Sequence, residues 1–390
     1  MVSTQLITEG DTELEVPELR KFRTSPHEYV PSLTRVFFNP LMEISRDIAV
    51  FAAQVMADDT SGLRVCDPLA GVGARALRYA KEVSGVNKVV ANDRSSEAAE
   101  LIRRNVKLNG LSNVEAREED ANKLLSSYRP RFHLIDLDPF GSPAPFVEAA
   151  CSVLARNGML ALTATDTAPL CGAYPKACVR KYGAQPLRTE YCHELGLRIL
   201  IGFCQRTAAK HDLALTPLLG YSAGRYFRAY LHADRGAKRT DRVLSEQGFI
   251  SHCNSCGNRV VSEGVITELP SRCGCGSKFS HAGPMWIGRL VGKNFVGRLL
   301  ADLARRNFKL RHRALELLNR CLEEADGPPA FHDLHKVAER ASMSPPKLDN
   351  ILSELRARGY FASRTHFSST GFRTDAQSSL LTRLLSKGSV

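Results

Sequence analysis

The fold is decided by LALTPLLGYSAGRYFRAYLHADR, residues 213–235. Two runs rich in apolar and aromatic residues, 213–222 and 225–235, flank a break of only Ala223 and Gly224. Such runs predict two β-strands. A break this short cannot carry the chain back across a sheet, so the second strand must run antiparallel to the first. The sheet that contains these strands is therefore predicted to end in an antiparallel strand.

The chain before this pair alternates short apolar runs with helical patterns. The predicted strands cover residues 63–68, 88–94, 114–121, 132–139 and 159–166. The predicted helices cover residues 73–85, 95–110, 144–158 and 191–212. Strands that alternate with helices form a parallel α/β sheet. A parallel sheet that finishes with an antiparallel strand resembles the Rossmann-like sheet of class I S-adenosylmethionine (SAM) methyltransferases, and it does not match an ordinary dinucleotide dehydrogenase.

A tight glycine loop, DPLAGVGAR at residues 67–75, joins the first of these strands to its helix. Glycines let a backbone approach a ligand closely, and Gly71 and Gly73 also satisfy the loose dinucleotide pattern G-x-G-x-x-A. Asp93 follows Gly71 by 22 residues and ends the next strand, where a carboxylate accepts the hydroxyls of a ribose. Because NAD and SAM both have such a ribose, the pattern predicts a nucleoside cofactor and leaves its identity open.

Other charged residues near the strand ends bear on the choice of cofactor. Asp67 directly precedes the loop, where SAM enzymes often carry an acid near the amino-acid end of the cofactor. A phosphate-binding loop gains nothing from a carboxylate there, so Asp67 favours SAM. Arg75 either faces the same ligand or is a solvated helix residue. Asp120, followed by Ala121, either contacts the adenine amino group, as acids at this place commonly do in SAM folds, or caps a helix.

The strand HLIDLDPFGSPAPF, residues 133–146, ends in an acid, a proline and an aromatic ring. Carboxyl ends of parallel strands face the ligand crevice, so Asp138 is predicted to point at the reactive end of the cofactor. In methyltransferases that act on amino groups, an Asp/Asn-Pro-Pro-aromatic corner occupies this place. Asp138 and the Pro139 carbonyl would accept N–H groups of a nucleobase amine, and Phe140 would stack on the base. The alternative is a plain turn with Ser142 as helix cap, but a turn does not need Phe140.

The chain also resembles the tRNA (guanine-26-N2)-dimethyltransferase family of archaea and eukaryotes over nearly its whole length. Beyond Asp-Pro-Phe-Gly, the resemblance is carried by VFFNPLMEISRD (36–47), RKYGAQPLRTEYCHELGLRILIG (180–202) and SRTHFSSTGFRTDA (363–376). It implies that guanine 26 of tRNA is methylated once or twice on its exocyclic N2, with SAM as donor. One departure is DPLAGVGAR, where many relatives have a serine-glycine pair.

The resemblance further implies roles for individual residues. It implies that Phe37 lies on the side of the target base opposite Phe140, whereas the pattern alone predicts core packing for Phe37 and Phe38. It also implies that Arg46 contacts the SAM carboxylate. The residues that it assigns to the cofactor pocket are Arg75, Asp93, Asp120 and Ala121.

Four of the eleven cysteines form one cluster. The pairs, C-x-x-C and C-x-C, comprise Cys253, Cys256, Cys273 and Cys275. Glycines flank both pairs, as in zinc-ribbon knuckles, and four thiolates suit a closed, structural zinc site. The second pair is shorter than usual, so His252 or His281 is an alternative ligand if Cys275 cannot reach, and reduced free thiols are the alternative to a metal. The other seven cysteines lie in apolar contexts, which favours a reducing compartment.

The chain is basic, with 53 Lys and Arg against 41 Asp and Glu and a net charge of +12. Residues 286–390 hold 18 of these cations against 10 acids. This excess favours a polyanionic partner over a soluble enzyme whose basic charge has no binding role. Together with the family resemblance, the predicted partner is tRNA. The segment 331–367 has the pattern of helix, turn, helix and extended wing. We expect it to hold tRNA phosphates through Arg356, Arg358 and Arg364.

These patterns predict a methyltransferase domain at 1–245, a zinc-ribbon-like insert at 246–285 and a helical, winged-helix-like tRNA-binding domain at 286–390. The N-terminus lacks an apolar signal segment, and no run reaches the roughly 20 apolar residues of a membrane helix, which favours the cytoplasm. We expect a monomer with no membrane and no protein partner. The alternatives are a methyltransferase acting on another RNA amine or a protein amide, a dehydrogenase, and a non-catalytic tRNA-binding protein.

Overall fold

The secondary structure follows the alternation in the sequence. The computed structural model describes residues 3–18, 23–25, 28–29, 35–129 and 131–386. The strands are β1 (Thr4–Glu9), β2 (Thr12–Pro17), β3 (Arg23–Ser25), β4 (Glu28–Tyr29), β5 (Leu63–Asp67), β6 (Val86–Asn92), β7 (Val114–Arg117), β8 (Phe132–Leu137), β9 (Leu154–Ala164), β10 (Leu213–Ala223), β11 (Tyr226–Arg235), β12 (Gln247–His252), β13 (Arg259–Glu263), β14 (Ser280–Trp286), β15 (His332–Asp333), β16 (Ala362–Arg364) and β17 (Gly371–Thr374). The α-helices are α1 (Glu43–Asp59), α2 (Ala74–Glu82), α3 (Ser96–Leu108), α4 (Ala121–Ser127), α5 (Ala144–Val153), α6 (Thr167–Leu170), α7 (Pro175–Tyr182), α8 (Cys192–Ala209), α9 (Ala237–Ser245), α10 (Lys293–Arg305), α11 (Arg311–Glu323), α12 (Leu334–Arg340), α13 (Leu348–Ala357) and α14 (Ser378–Ser386). None of these described helices is both long enough and apolar enough to cross a membrane.

The main sheet has seven strands in the order β10-β11-β9-β8-β5-β6-β7. β5 pairs in parallel with β6 and with β8, β6 pairs in parallel with β7, and β8 pairs in parallel with β9. Only Gly224 and Arg225 separate β10 from its neighbour β11, so these two strands are antiparallel. The last strand therefore lies between β9 and β10, and the predicted mixed α/β sheet is confirmed.

Burial and capping fix the part of the sheet that carries the candidate site. β8 is buried along almost its whole length, as a parallel strand covered on both faces requires. Ser95 caps α3 by accepting the Ala98 N–H at 3.4 Å. α5 ends at Val153 rather than at the predicted residue 158, and the chain continues as β9 from Leu154. A short apolar run does not distinguish a buried helix from a buried strand, which explains this difference.

The chain divides into two compact units. The first unit comprises residues 1–163, 230–234 and 294–316. The second unit comprises residues 164–229, 235–293 and 317–390. The three predicted domains have other boundaries and stay a prediction.

In the first unit, α3 holds the β1–β2 hairpin. Asn105 Nδ2 donates to the Glu15 carbonyl at 3.0 Å, and Arg104 pairs with the Glu15 carboxylate. The segment after α10 packs in the same unit, because Phe308 stacks on Phe51 with 5.2 Å between ring centroids. These contacts fix α1 and the hairpin, which both carry residues next to the candidate site.

The second unit contains two small antiparallel sheets. One has the order β13-β12-β14, and its cysteine-bearing turns are described below. The other has the order β15-β17-β16 and shares a hydrophobic core with α12, α13 and α14. Within the segment 331–367, for which the pattern predicts helix, turn, helix and extended wing, the structure has α12, α13 and β16.

A buried network of charges also lies in the second unit. Glu194 accepts from Arg198 at 2.8 Å and from Arg373 at 2.9 Å, and it accepts two backbone N–H groups. Glu324 pairs with Arg373 and with His366. Every acid in this network therefore meets at least one basic side chain.

Candidate active site

The loop between β5 and α2 is shaped for close backbone approach. Gly71 and Gly73 have φ angles of +55° and +81°, in the left-handed region that favours glycine. A Cβ on Gly71 would lie 2.6 Å from the Phe37 carbonyl oxygen, so glycine is needed where these two backbones meet. The Gly71 N–H donates to Asp93 Oδ2 at 3.0 Å, and the Ser95 N–H donates to Asp93 Oδ1 at 3.0 Å. The structure thus brings together the predicted loop, Asp93 and the segment that carries Phe37.

A buried cluster of three acids surrounds one arginine beside this loop. Arg75, in the first turn of α2, places Nη2 2.6 Å from Asp138 Oδ2 and Nε 3.6 Å from Asp136 Oδ2. Asp136 is fully buried and accepts from the Tyr79 hydroxyl at 2.5 Å. Burial raises the pKa of Asp67 well above its ordinary range, and the charge of Asp136 raises it further. The Arg75 guanidinium therefore lies among three carboxyl groups, so acids outnumber the cation in this cluster.

Asp136 is the member of this cluster that the sequence reasoning missed. It precedes Asp138 by two positions, so both side chains project to the same face of the sheet. The signal was two acids with this spacing in an otherwise apolar strand. The cluster also excludes the solvated alternative for Arg75, whose side chain is only 4% exposed.

Phe37 and Phe140 form an aromatic pair beside the acid-proline corner. Their ring centroids are 5.7 Å apart, and their planes are inclined by 56°. Phe140 is 69% exposed and Phe37 is half-buried. The neighbouring Phe38 is buried, so the core packing that the pattern alone predicted for both residues holds for Phe38, whereas Phe37 is only half-buried. The structure therefore brings together the two rings that the family resemblance assigned to opposite sides of a base.

Asp120 caps α4, as one of its two alternatives predicted. Its Oδ1 accepts the N–H groups of Asn122 and Lys123 at 3.0 and 3.1 Å, which is the geometry of an N-cap. Ala121 is buried at the first position of the same helix. Capping and contact with an adenine are compatible, because a carboxylate has two oxygens. The adenine contact stays a prediction.

Arg46 has a partner within the chain. Its Nε and Nη2 donate to the two carboxylate oxygens of Glu9 at 2.6 Å each, and Nη2 also donates to the Asn39 carbonyl at 3.1 Å. Both side chains of this pair are buried. A buried bidentate pair of this kind is strong. Arg46 therefore ties α1 to β1, and its contact with a SAM carboxylate stays a prediction that requires this pair to open.

The four clustered cysteines converge in the second unit. Cys253 Sγ lies 3.5 Å from Cys275 Sγ, and Cys256 Sγ lies 3.5 Å from Cys273 Sγ. All four sulfur atoms lie within 4.8 Å of one another. A tetrahedral zinc with Zn–S bonds of about 2.3 Å needs sulfurs about 3.8 Å apart, so the four thiols fit this ion.

The two cysteine turns have similar backbone geometry despite their different spacing. The Gly257 N–H donates to the Cys253 carbonyl at 2.8 Å, and the Gly276 N–H donates to the Cys273 carbonyl at 2.8 Å. Both glycines have positive φ angles, of 72° and 89°. The shorter C-x-C pair therefore still delivers Cys275 to the cluster.

The two histidines considered as alternative ligands are engaged elsewhere. His252 Nδ1 lies 3.0 Å from the Tyr191 hydroxyl, and His281 Nδ1 lies 2.8 Å from Ser251 Oγ. Neither belongs to the group of converging ligand atoms formed by the four cysteines. The structure therefore favours the four-cysteine set over a set that includes a histidine.

The arginines predicted to hold tRNA phosphates have partners in their own neighbourhood. Arg358 and Arg364 each pair with a carboxylate, at 2.7 and 2.6 Å. Arg356 donates to a backbone carbonyl at 2.9 Å. Their predicted role in tRNA binding stays a prediction, and contact with phosphate would compete with these existing bonds.

The strand order, the glycine loop and the acid-proline-aromatic corner define a class I SAM-dependent methyltransferase. The model of the N2,N2-dimethylguanosine tRNA methyltransferase family matches residues 10–386. The tRNA (guanine(26)-N(2))-dimethyltransferase of Methanosphaera stadtmanae is 40% identical over 376 residues, which cover 96% of this chain and 94% of that protein. The protein of the same name from Thermococcus kodakarensis is 40% identical over 387 residues, with 95% and 96% coverage. The structure of Trm1 from Pyrococcus horikoshii with S-adenosyl-L-methionine matches with a TM-score of 0.86 and 34% identity, and covers 97% of this chain and 99% of that one. The chain therefore belongs to the N2,N2-dimethylguanosine tRNA methyltransferase family.

Proposed function

We propose that this chain transfers methyl groups from SAM to the N2 amino group of guanine 26 in tRNA, once or twice. The observation that carries the proposal is the corner of Asp138, Pro139 and Phe140, which has the Phe37 ring 5.7 Å from that of Phe140. The relatives named above are tRNA (guanine(26)-N(2))-dimethyltransferases, and their similarity extends over almost the whole chain.

The residues beside the glycine loop fit SAM. Its ammonium and sulfonium groups are cationic, and the three acids around a single arginine supply complementary charge. The left-handed glycines leave room that a side chain would fill. SAM supplies an electrophilic methyl group when it is bound. The residues that we assign to its pocket are Asp67, Arg75, Asp93, Asp120 and Ala121, together with Arg46 on the ground of family resemblance.

Asp138 and the Pro139 carbonyl orient the guanine amine. The lone pair of an exocyclic amine is delocalised into the ring, so the nitrogen is a poor nucleophile until acceptors draw its N–H groups toward tetrahedral geometry. These acceptors also stabilise the positive charge that develops on the nitrogen. Arg75 holds Asp138 Oδ2, which leaves Oδ1 for the substrate, and the Asp138 side chain is 22% exposed. The proton then leaves through Asp138 or water beyond it.

Phe37 and Phe140 hold the flipped base between them after the two rings separate, because centroids 5.7 Å apart are at the distance of a direct aromatic pair. Enzymes that act on a base take it out of its stack, and aromatic rings replace the lost stacking. The exposure of Phe140 supports this role, because a ring that served only the protein core would be buried.

The remaining parts of the proposal concern the second unit and the setting of the protein. We assign a structural zinc to Cys253, Cys256, Cys273 and Cys275. We also assign contacts with tRNA to the helical, winged-helix-like region near the C-terminus. The protein is proposed to act as a monomer in the cytoplasm, without a membrane or protein partner.

The activity is tested with labelled SAM and two tRNA transcripts that differ only in carrying G or A at position 26. We expect label to enter the G26 transcript alone, and digestion to release N2-methylguanosine or N2,N2-dimethylguanosine. Label in the A26 transcript, or in another nucleoside, would overturn the proposed target. Calorimetric titration with NAD and SAM separately tests the dehydrogenase alternative.

The zinc assignment is tested by metal analysis of the purified protein. We expect about one zinc per chain, lost in the Cys256→Ser variant and kept in Cys151→Ala, which removes a cysteine outside the cluster. Equal zinc content in both variants would contradict the assignment.

A further inference from the structure

One exposed basic segment in the second unit has no role in the chemistry proposed above. Residues 171–189, CGAYPKACVRKYGAQPLRT, contain four Lys and Arg and no Asp or Glu. The segment includes α7, which starts with proline at its first helical position, where proline is well tolerated. This run of cations without acids differs from the C-terminal region, where Arg358 and Arg364 have carboxylate partners.

The inner face of α7 fixes the helix firmly. Cys178 and Tyr182 are one turn apart and fully buried. The Tyr182 ring packs edge-on against Phe203 with 5.5 Å between centroids, and the Tyr182 hydroxyl donates to Asp166 at 2.7 Å. Gly183 closes the helix in the left-handed conformation, with a φ angle of +60°. These contacts fix α7 in place, so the residues on its outer face have defined positions.

The outer face of α7 presents two cations with an apolar residue between them. Lys176, Val179 and Arg180 have the i, i+3, i+4 spacing of one helix face. Val179 is 46% exposed, and Tyr174, which precedes the helix, is 63% exposed. Across the residues that the structure describes, neither Lys176 nor Arg180 has a carboxylate within ion-pair distance, whereas Lys181 pairs with Asp166 at 2.9 Å.

This combination matches the chemistry of RNA. Phosphates need cations that no local acid neutralises, and unstacked bases need an exposed aromatic ring. The C-terminal arginines differ in this respect, because Arg358 and Arg364 would have to leave carboxylates before they could bind phosphate. Lys176 and Arg180 can bind without breaking an ion pair.

We propose that Tyr174, Lys176 and Arg180 form a contact surface for tRNA. Lys176 and Arg180 bind backbone phosphates, and the Tyr174 ring stacks on an unpaired nucleotide. The inference rests on the proposed function, since it identifies where the same substrate is held.

The cations are tested by measuring tRNA binding at several salt concentrations. The variant is Lys176→Gln with Arg180→Gln. The matched control is Lys238→Gln with Arg242→Gln on α9, which removes the same residue types at the same spacing from another exposed helix. In that control, Arg242 lies 3.9 Å from Glu246, so it already has an acidic neighbour.

We expect the α7 variant to raise the Kd for tRNA and to lower the slope of log Kd against log salt by about 1.5, as the loss of two phosphate contacts requires. The control is expected to keep both values. An unchanged slope in the α7 variant, or an equal loss in the control, would overturn the inference. Wild-type thermal melting and an unchanged Kd for SAM in the variants exclude misfolding.

The ring is tested by Tyr174→Ala and Tyr174→Phe. The alanine variant is expected to weaken tRNA binding by about fivefold or more, while the phenylalanine variant keeps the stacking ring and the wild-type Kd. Equal binding by all three proteins would remove Tyr174 from the surface. These outcomes are separate from a failure of the proposed function, which would appear as wild-type protein that binds tRNA without methylating G26.

Discussion

Two of the buried charge clusters in the described part of this protein are built on opposite principles. In the second unit, Glu194 and Glu324 are matched by Arg198, Arg373 and His366, and each acid meets at least one cation. In the first unit, the acids around Arg75 outnumber it by three to one, and they include the corner residue of the candidate site. Most side chains in both clusters are buried, and only Asp138 in the first cluster keeps 22% of its side chain exposed, so burial of the other members does not distinguish the clusters.

The difference shows in the direction of the pKa shifts. Burial opposes ionisation in both places, but Arg373 and Arg198 outweigh it and lower the pKa of Glu194 to about 2. Asp67 shares Arg75 with Asp136 and Asp138. Burial and the charge of Asp136 therefore raise the pKa of Asp67 well above the ordinary range. In a matched cluster the acids are neutralised by cations of the native state, whereas an excess of buried acids is neutralised by protons or by a cationic ligand. We infer that the first kind serves stability and the second serves function.

The largest effect is expected from removing one charge in the matched cluster. Glu194→Gln keeps the size of the side chain but leaves Arg373 and Arg198 without their shared acid. Breaking a buried ion pair costs about 3–5 kcal/mol, so the free energy of unfolding measured with urea at pH 7 should fall by about that amount. Glu354→Gln, which removes the half-buried partner of the exposed Arg358, is the control and should cost less than about 1 kcal/mol. Equal losses in the two variants would contradict the stabilising role.

A smaller effect is expected from pH, through His366. Burial disfavours its imidazolium form, but Cys321 and Glu324 more than offset this and raise the pKa of His366 to about 10. An unfolded histidine titrates near 6.5, so this contribution is complete below about pH 6.5 and is lost as the pH rises toward 10. The free energy of unfolding should therefore fall between pH 7 and 9, by at most about 1.4 kcal/mol per pH unit.

His366→Gln should flatten that pH dependence, and the exposed His335→Gln should leave it unchanged. Urea titrations at pH 6, 7, 8 and 9 measure both. A wild-type curve that rises over this range would show that His366 is not held as a cation in the native state.

The smallest loss of stability is expected in the first unit, from Asp67→Asn. The raised pKa of Asp67 means that the native state pays increasingly for its ionisation as the pH rises above the unfolded value near 3.9, and asparagine removes that cost. The variant should therefore gain at most about 1.5 kcal/mol over wild type at pH 5, and should keep or increase that gain at pH 8. SAM binding should weaken in the same variant. A loss of stability as large as that of Glu194→Gln would erase the contrast between the clusters.

The pattern of apolar runs predicted the fold because it is a local property. β5 was expected at 63–68 and lies at Leu63–Asp67, and the late hairpin formed where 213–235 predicted it. The acid-proline-aromatic corner could also be recognised in the sequence, because a turn does not need a carboxylate at position 138. The four cysteines were predictable from spacing, and the structure brings their sulfurs together.

The pairings that span long stretches of chain could not be predicted in this way. Arg46 meets Glu9 and Tyr79 meets Asp136 only once the sheet and the hairpin have formed. The pairing of Phe37 with Phe140 came from family resemblance, since nothing in local spacing links them. Helix α7 was missed because its inner face is only two buried residues wide, which is too short for a periodic signal.

The most direct test of the functional role of the acid-rich cluster measures activity and stability together in the Asp138→Ala variant. This variant leaves Arg75 with two remaining acids, so we expect the free energy of unfolding to stay within about 1 kcal/mol of wild type. We also expect that methyl transfer to G26 tRNA falls by at least about a hundredfold while SAM still binds. Substantial methyl transfer by Asp138→Ala, or a loss of stability like that of Glu194→Gln, would contradict the claim that the cluster with excess acids is the functional one.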